Sequence, residues 1–442
     1  MRLPGPKSAE MIAELRCYVV ADPYPFVLDL PRCDGMWLAT VDGDRLFDWM
    51  GYFGAKLIGH NHPGLAEPDY LRRLAVAANN KTANPDFLTP ECLAYYRELH
   101  ALAPVCMRNP DLEVYTVNSG AEAVENMMKY FINLHAQKLR DAGKTNARRR
   151  FLYFDQAFHG RTVFALHVTR LDHDPVVTKD FHGIVEGNIQ IPFPAWDSSE
   201  PDAVNEARTR DSLELVEAAL RRFAGEVIGI VVEPIQGAGG HRTASPEFFR
   251  GLSELARTYD VSLGFDEVQT AGGQTGTFFA IDQFDLPHPP HAVASGKKLG
   301  CGVVYMNHPM LDRNVLDSTW GGTLADMVRF VREMQIVRAE RLIELVPEKA
   351  ARLRGVLDAL VKRYSDLVFN VRGMGLYQGF SLRRPEDKAR LVAAAREQEG
   401  LLLLGAGTNA IRLRPNLSVM AQEIDLLGEM LGRALEGLRL EA

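Results

Sequence analysis

Ala294-Ser295-Gly296-Lys297-Lys298-Leu299-Gly300 is the stretch on which the reading of this 442-residue chain turns. Small residues loosen the backbone before a lysine, and Gly300-Cys301-Gly302-Val303-Val304 continues behind it. A lysine set this way can aim its amine into a cleft, where desolvation lowers its pKa and lets it form a Schiff base with a carbonyl cofactor. Paired lysines are also ordinary surface charge. The reading gains weight from Gly264-Phe265-Asp266-Glu267-Val268-Gln269-Thr270, whose Asp266 stands 31 residues upstream (297 minus 266).

Outward from these two stretches, residues of about 66 to 320 alternate between strand and helix patterns, which implies a mostly parallel sheet. Leu112 to Val117 reads as a strand. Asn118-Ser119-Gly120-Ala121-Glu122 then opens a long helix to about Arg140. Phe151 to Phe154 is a strand closed by Ala157-Phe158-His159-Gly160-Arg161. Val227 to Val232 is apolar and β-branched, as in a strand buried on both faces, and Glu233-Pro234 ends it. A helix from Pro246 to Tyr259 leads into a strand from Val261 to Asp266. The stretch from Asp172 to Asp211 is polar, proline-bearing and poorly periodic, and reads as a surface excursion.

The first 60 residues read as a small β-rich unit. Phe26 to Leu30 forms a strand, and Met36 to Thr40 and Arg45 to Trp49 flank the hairpin signal Asp42-Gly43. Gly59-His60-Asn61-His62-Pro63 is read as a structural loop, because two histidines without further ligands do not make a metal site. Helices are expected over Thr323 to Leu345, Glu348 to Tyr364, Glu386 to Gln398 and from Ala421 onward. Strands are expected over Met374 to Leu382 and Ala410 to Arg414. The expected division is 1–65, 66–322 and 323–442, an α/β chain with one large domain and a small α+β domain built from both termini.

Charge and cysteine content exclude several classes. The balance of 50 basic to 57 acidic side chains leaves −7, without the basic footprint of a nucleic-acid or acidic-lipid binder. Arg148-Arg149-Arg150 is the one dense basic run and reads as a solvated turn. Five scattered cysteines, with no CxxC pair, make neither a disulfide framework nor a zinc site. The start of the chain lacks a signal pattern and no apolar run reaches transmembrane length, so a cytoplasmic protein is expected.

The chemistry-bearing residues gather at the carboxyl ends of the expected strands, where open parallel sheets bind ligands. Ser119, Gly120 and Ala121 at a helix start suit a phosphate, although Ser119 also suits a plain N-cap. Asp266 at the end of an apolar strand needs a partner, either a local arginine or a pyridinium nitrogen that it would keep protonated. Phe158 can stack on a flat ring or pack in a core. Gln269 can reach a phenolic oxygen, Thr319 in Ser318-Thr319-Trp320-Gly321-Gly322 can donate to phosphate, and Glu267 is structural or at the rim of the site.

In order, a phosphate turn, a ring aromatic, Val-Val-Glu-Pro, Asp, Lys and Ser-Thr-Trp-Gly-Gly resemble the class III, fold-type I aminotransferases that use pyridoxal 5′-phosphate (PLP). The resemblance spans nearly the whole chain. Asn80-Lys81-Thr82-Ala83-Asn84-Pro85-Asp86 and the Ser-Thr-Trp-Gly-Gly stretch tilt it toward the lysine 6-aminotransferase branch. It implies Lys297 as the Schiff-base lysine, Asp266 as the pyridinium partner, and Phe158, Glu233 and Gln269 around the ring. It also implies Ser119, Gly120 and Ala121 on the phosphate, with Thr319 reaching it from the other subunit of a homodimer. Arg161 resembles the arginine that holds the far carboxylate of lysine, and Arg412 the one that holds the α-carboxylate of 2-oxoglutarate. The implied reaction moves the distal amine of a basic amino acid to 2-oxoglutarate, with 4-aminobutyrate, ornithine and diaminobutyrate as rival donors. The same fold also hosts PLP racemases, mutases and non-catalytic proteins. One departure stands out: where the family usually has Glu, five residues after the Glu of Glu-Pro, this chain has Ala238.

Overall fold

A computed structural model describes residues 3–20, 22–144, 148–178, 187–310, 312 and 315–440. Its centre is a seven-stranded sheet. In spatial order the strands are Glu113–Val117, Gly302–Met306, Ala292–Ser295, Ser262–Glu267, Val227–Val232, Arg150–Phe154 and Ile189–Ile191. Neighbouring pairs are parallel except around Gly302–Met306, which runs antiparallel to both of its neighbours. The mostly parallel sheet expected from the alternation is therefore present. Every residue of Val227–Val232 and of Ser262–Glu267 is buried, as a central strand covered on both faces requires. Each such aliphatic side chain contributes about 1.5–3 kcal/mol when removed from water.

Helix Gly120–Asp141 lies on one face, burying Val124, Met127, Met128 and Phe131. Pro246–Thr258 lies on the other face, with Phe248, Phe249 and Leu252 in the larger core. Because the strands run parallel, Ser119, Phe158, Glu233, Gln269 and Lys297 all follow carboxyl ends along one edge of the sheet.

Three smaller sheets accompany the large one among the described residues, one of them only the two-stranded pair Ile235–Gln236 with Arg242–Thr243. The hairpin Trp37–Ala39 and Arg45–Asp48 turns at Gly43, and Leu401–Leu402 pairs parallel to its second strand. The third is a four-stranded sheet in the order Val368–Met374, Tyr377–Leu382, Ala410–Arg412, Leu404–Ala406. The flanking helices Leu324–Ala339, Val346–Arg363, Asp387–Glu399 and Ala421–Leu440 stand close to where the apolar periodicity puts them.

Three expectations need correction. Phe26 to Leu30 is not a strand, since only an isolated bridge joins Leu28 to Thr40. Met374 to Leu382 is not one strand but the end of one, a turn at Gly375 and a second strand, because Gly375 takes a positive φ of 56°. The stretch from Asp172 to Asp211 is no simple excursion. Residues 179–186 lie outside the described residues, but Ile189–Ile191 is the sheet's edge strand and Asp202–Arg222 is a long helix. The weak apolar pattern there reflects an edge strand and a helix with a narrow buried stripe.

The five cysteines are free thiols, and no group of metal-ligating side chains forms among the described residues. In the Gly59–Pro63 loop, His62 Nδ1 accepts from Gly64 N at 3.1 Å, as expected of a structural histidine. No helix among the described residues is long and apolar enough to cross a membrane.

Candidate active site

A cavity of about 490 Å³ opens at the carboxyl edge of the large sheet. Lys297, Asp266, Glu233, Phe158, Arg161 and Arg412 all line it, as do Gly120, Ala121, Gln269 and Ala238. Residues separated by nearly 300 positions in the chain thus face one volume.

Lys297 begins a single 3₁₀ turn directly after the strand Ala292–Ser295, and its φ of 48° lies in the left-handed region. A lysine there is uncommon, and such strain persists where the surroundings hold it for a purpose. Burial, with Arg412 and Arg414 nearby, pushes the Lys297 amine down to about 8, against the pull of Asp266 and Glu233. Among the described residues its Nζ donates only to the Phe53 carbonyl, at 3.3 Å. Lys298 has a different fate. Its amine is buried, with burial foremost and then Lys297 lowering its pKa, and donates to Gly54 O at 3.0 Å, Gln269 O at 2.5 Å and Tyr377 Oη at 3.0 Å. Lys298 is a structural tie, and the free amine is Lys297.

Asp266 is paired with a histidine and not with an arginine. Its Oδ2 lies 2.7 Å from His159 Nδ1, and its Oδ1 accepts from Val268 N at 2.9 Å. Burial opposes a charged His159, yet the hydrogen bond and charge of Asp266, with Glu233 behind them, outweigh it and raise the imidazole above its ordinary value. Sequence reasoning passed over His159. Its adjacency to Phe158 in Ala157-Phe158-His159-Gly160-Arg161 was the available signal. Glu233 accepts from Phe158 N at 2.9 Å and Gly237 N at 3.3 Å, and burial lifts its carboxyl to about 7. Glu267, fully buried with Thr270 Oγ1 and Ile281 N on its carboxylate, is structural.

Gln269 is committed on both ends. Its Oε1 accepts from Arg414 Nε and Nη2, each at 3.1 Å, and its Nε2 donates to Phe53 O at 3.2 Å. Ser119 is the N-cap of its helix, accepting from Glu122 N at 3.2 Å, and does not line the cavity. Gly120 and Ala121 do, and the first-turn N–H groups at their positions have no intrahelical acceptor. A Cβ on Gly120 would collide with Val268, so the helix start can come this close to the Asp266 strand only as glycine. Thr319 is exposed and away from this cavity. Next to it the two stretches that tilted the resemblance meet: Asn84 Nδ2 donates to Trp320 O at 3.2 Å and Lys81 lies 4.0 Å over the Trp320 ring.

The two arginines are uncommitted. Among the described residues neither Arg161 nor Arg412 makes a side-chain hydrogen bond or ion pair, and Arg412 Nε is buried without a partner. Burial lowers Arg412 to about 10, with Glu233 the foremost charge opposing that fall. Since an unpaired buried guanidinium is costly, Arg412 awaits an anion, while Arg161 is exposed and lines the same cavity.

The class-III aminotransferase family matches residues 19–435 of the chain. This chain is a class-III aminotransferase. It is 33% identical to the L-lysine-epsilon aminotransferase of Amycolatopsis lactamdurans, over 98% of this chain and 97% of that protein. It is 28% identical to the mitochondrial 4-aminobutyrate aminotransferase of Rattus norvegicus, over 94% and 86% of the two chains. Among solved structures it is similar to the lysine aminotransferase from M. tuberculosis in the internal aldimine form. There the TM-score is 0.90 and the identity 30%, with 98% of this chain and 99% of that one covered.

The cofactor of class-III aminotransferases is PLP, and the residues present fit it. A low-pKa amine suits its aldehyde, a histidine-backed carboxylate suits its ring nitrogen, and a glycine-started helix suits its phosphate.

Proposed function

We propose that this aminotransferase takes the distal amine of a basic amino acid, L-lysine, and delivers it to 2-oxoglutarate, giving a semialdehyde and glutamate. The observation that carries the reading is the pair of uncommitted arginines in the Lys297 cavity. Two unlike substrates use one site in turn, and each needs a carboxylate anchor. The lysine-epsilon relatives support the donor.

When bound, PLP supplies an electrophilic aldehyde and a ring that accepts electron density. Lys297 would hold that group through Nζ and would move the proton at the amine-bearing carbon of the substrate. Asp266, fixed by His159, holds a positive charge on the ring nitrogen. Phe158 positions the ring, Gly120 and Ala121 take the phosphate, and Gln269 and Glu233 border the ring. Arg161 grips the donor's α-carboxylate and Arg412 that of 2-oxoglutarate. Thr319, exposed and outside its own cavity, serves the phosphate in a second copy's site, with Ser119 supporting the helix start; this makes the working unit a homodimer. A donor panel with 2-oxoglutarate, scored by glutamate formed, tests the reading. Lysine consumed at its ε-amine, with a piperideine trapped by 2-aminobenzaldehyde, supports it. Turnover with 4-aminobutyrate but not lysine overturns it.

Ala238 bears on how the two substrates are told apart. A glutamate there would pair with Arg412 while the donor is bound. Glu233 cannot swing into that role, because both of its oxygens are held by backbone N–H groups. Arg412 therefore stays open to α-carboxylates in both half-reactions. Ala238→Glu raises the lysine-to-glutamate ratio of kcat/KM in single-turnover kinetics by about tenfold, the scale of one charge-assisted pair. An unchanged ratio places the switch elsewhere.

A further inference from the structure

Three carboxylates line the catalytic cavity: Asp266, Glu233 and Asp174. Asp266 is held by His159 and Val268 N, and Glu233 by Phe158 N and Gly237 N. Among the described residues the Asp174 carboxylate has no hydrogen bond or ion pair, although the residue is half-buried. Its near neighbour Asp172 is committed, with Oδ1 2.9 Å from Arg170 Nε and Oδ2 2.6 Å from Gln156 Nε2. His173, between them, does not neutralise Asp174: burial and Lys388 hold the imidazole below its ordinary value, so it is uncharged near pH 7.

The remaining charge in the cavity is positive, from Arg161, Arg412 and Lys297. A basic amino acid with its distal amine at Lys297 carries at its other end an α-carboxylate and an α-ammonium. Arg161 receives the first. The second would enter a cationic cavity without a counter-charge unless a carboxylate met it. Arg161 and Asp174 belong to one segment, on either side of the short helix Ala165–Val168, and both face the cavity.

We propose that Asp174 is the specificity-determining residue that receives the α-ammonium of the donor and, with Arg161, forms a receptor for the zwitterionic end of a basic amino acid. This rests on the donor reading above. The charge selects lysine over donors that lack an α-amine, such as 4-aminobutyrate, and offers no attraction to the carboxylates of 2-oxoglutarate.

The test compares L-lysine with 6-aminohexanoate, the same chain without the α-amine, on the holoenzyme. The wild-type enzyme prefers lysine in kcat/KM. In Asp174→Asn that preference falls by about 10- to 100-fold, the scale of a hydrogen bond to a charged group, and the loss appears mainly in KM. Asp174→Glu, which keeps the charge on a longer stem, recovers part of it and shows that a folded enzyme is being compared. A strong wild-type preference that survives in Asp174→Asn, or one lost equally in Asp174→Glu, overturns the role of Asp174 and leaves the donor reading standing. No wild-type preference for lysine overturns the donor reading and the role of Asp174 with it.

Discussion

Lys297→Ala lowers transamination by about 10⁴-fold or more, since it removes both the covalent anchor and the proton-transfer group. The folded protein survives, because among the described residues the Lys297 side chain makes only one long hydrogen bond. Lys298→Ala does the reverse. It removes the donor to Gln269 O and Tyr377 Oη, leaving Gly54 O with only the Tyr377 hydroxyl at 3.3 Å, and destabilises the protein by about 1–3 kcal/mol, read as a lower Tm. A Lys298→Ala enzyme that keeps its Tm and loses its chemistry, beside a Lys297→Ala enzyme that turns over, would shift the assignment by one residue. A second readout needs no turnover. With the Lys297 amine near 8 and not 10.5, recombination of apoprotein with PLP accelerates as pH rises and levels off above about 8, where the amine is neutral. A rate still climbing toward pH 10 contradicts the desolvated amine.

Asp266→Asn lowers kcat by roughly 10³-fold, the upper range for removing one preorganised electrostatic partner. The amide keeps the shape but not the charge, so the ring nitrogen loses its counter-ion. His159 loses with it the partner that holds its pKa up. Gln269→Ala costs far less in kcat and more in stability. Gln269 Oε1 is an acceptor for Arg414, whose guanidinium is buried and pushed down to about 9 by that burial and by Arg412. Equal kcat losses for Asp266→Asn and Gln269→Ala, with equal Tm values, contradict the electrostatic role of Asp266.

What the sequence made legible follows from how each signal arises. Strands buried on both faces, such as Val227–Val232, announce themselves by composition, and amphipathic helices such as Gly120–Asp141 by period. Residues at strand ends were legible because the topology of a parallel sheet brings them together. Edge strand Ile189–Ile191 was not, since one exposed side erases the apolar run. The pairing of His159 with Asp266 spans 107 residues, and the commitment of Gln269 to Arg414 spans 145. No local pattern carries contacts of that reach. The separate fates of Lys297 and Lys298 are decided by Gly54 and Tyr377, which no reading of the lysine stretch includes.

That tie at Lys298 has a consequence for how the enzyme is made. One amine gathers an early carbonyl at Gly54, a middle one at Gln269 and a late hydroxyl at Tyr377. Arg412, whose charge helps lower the Lys297 pKa, comes later still. A ribosome that has released the large sheet has therefore not yet released the parts that tune its lysine. Contacts this distant in sequence form slowly. Fragments ending before residue 412 hold the catalytic amine without one of the charges that, after burial, lower its pKa, and are expected to capture cofactor more slowly than the full chain.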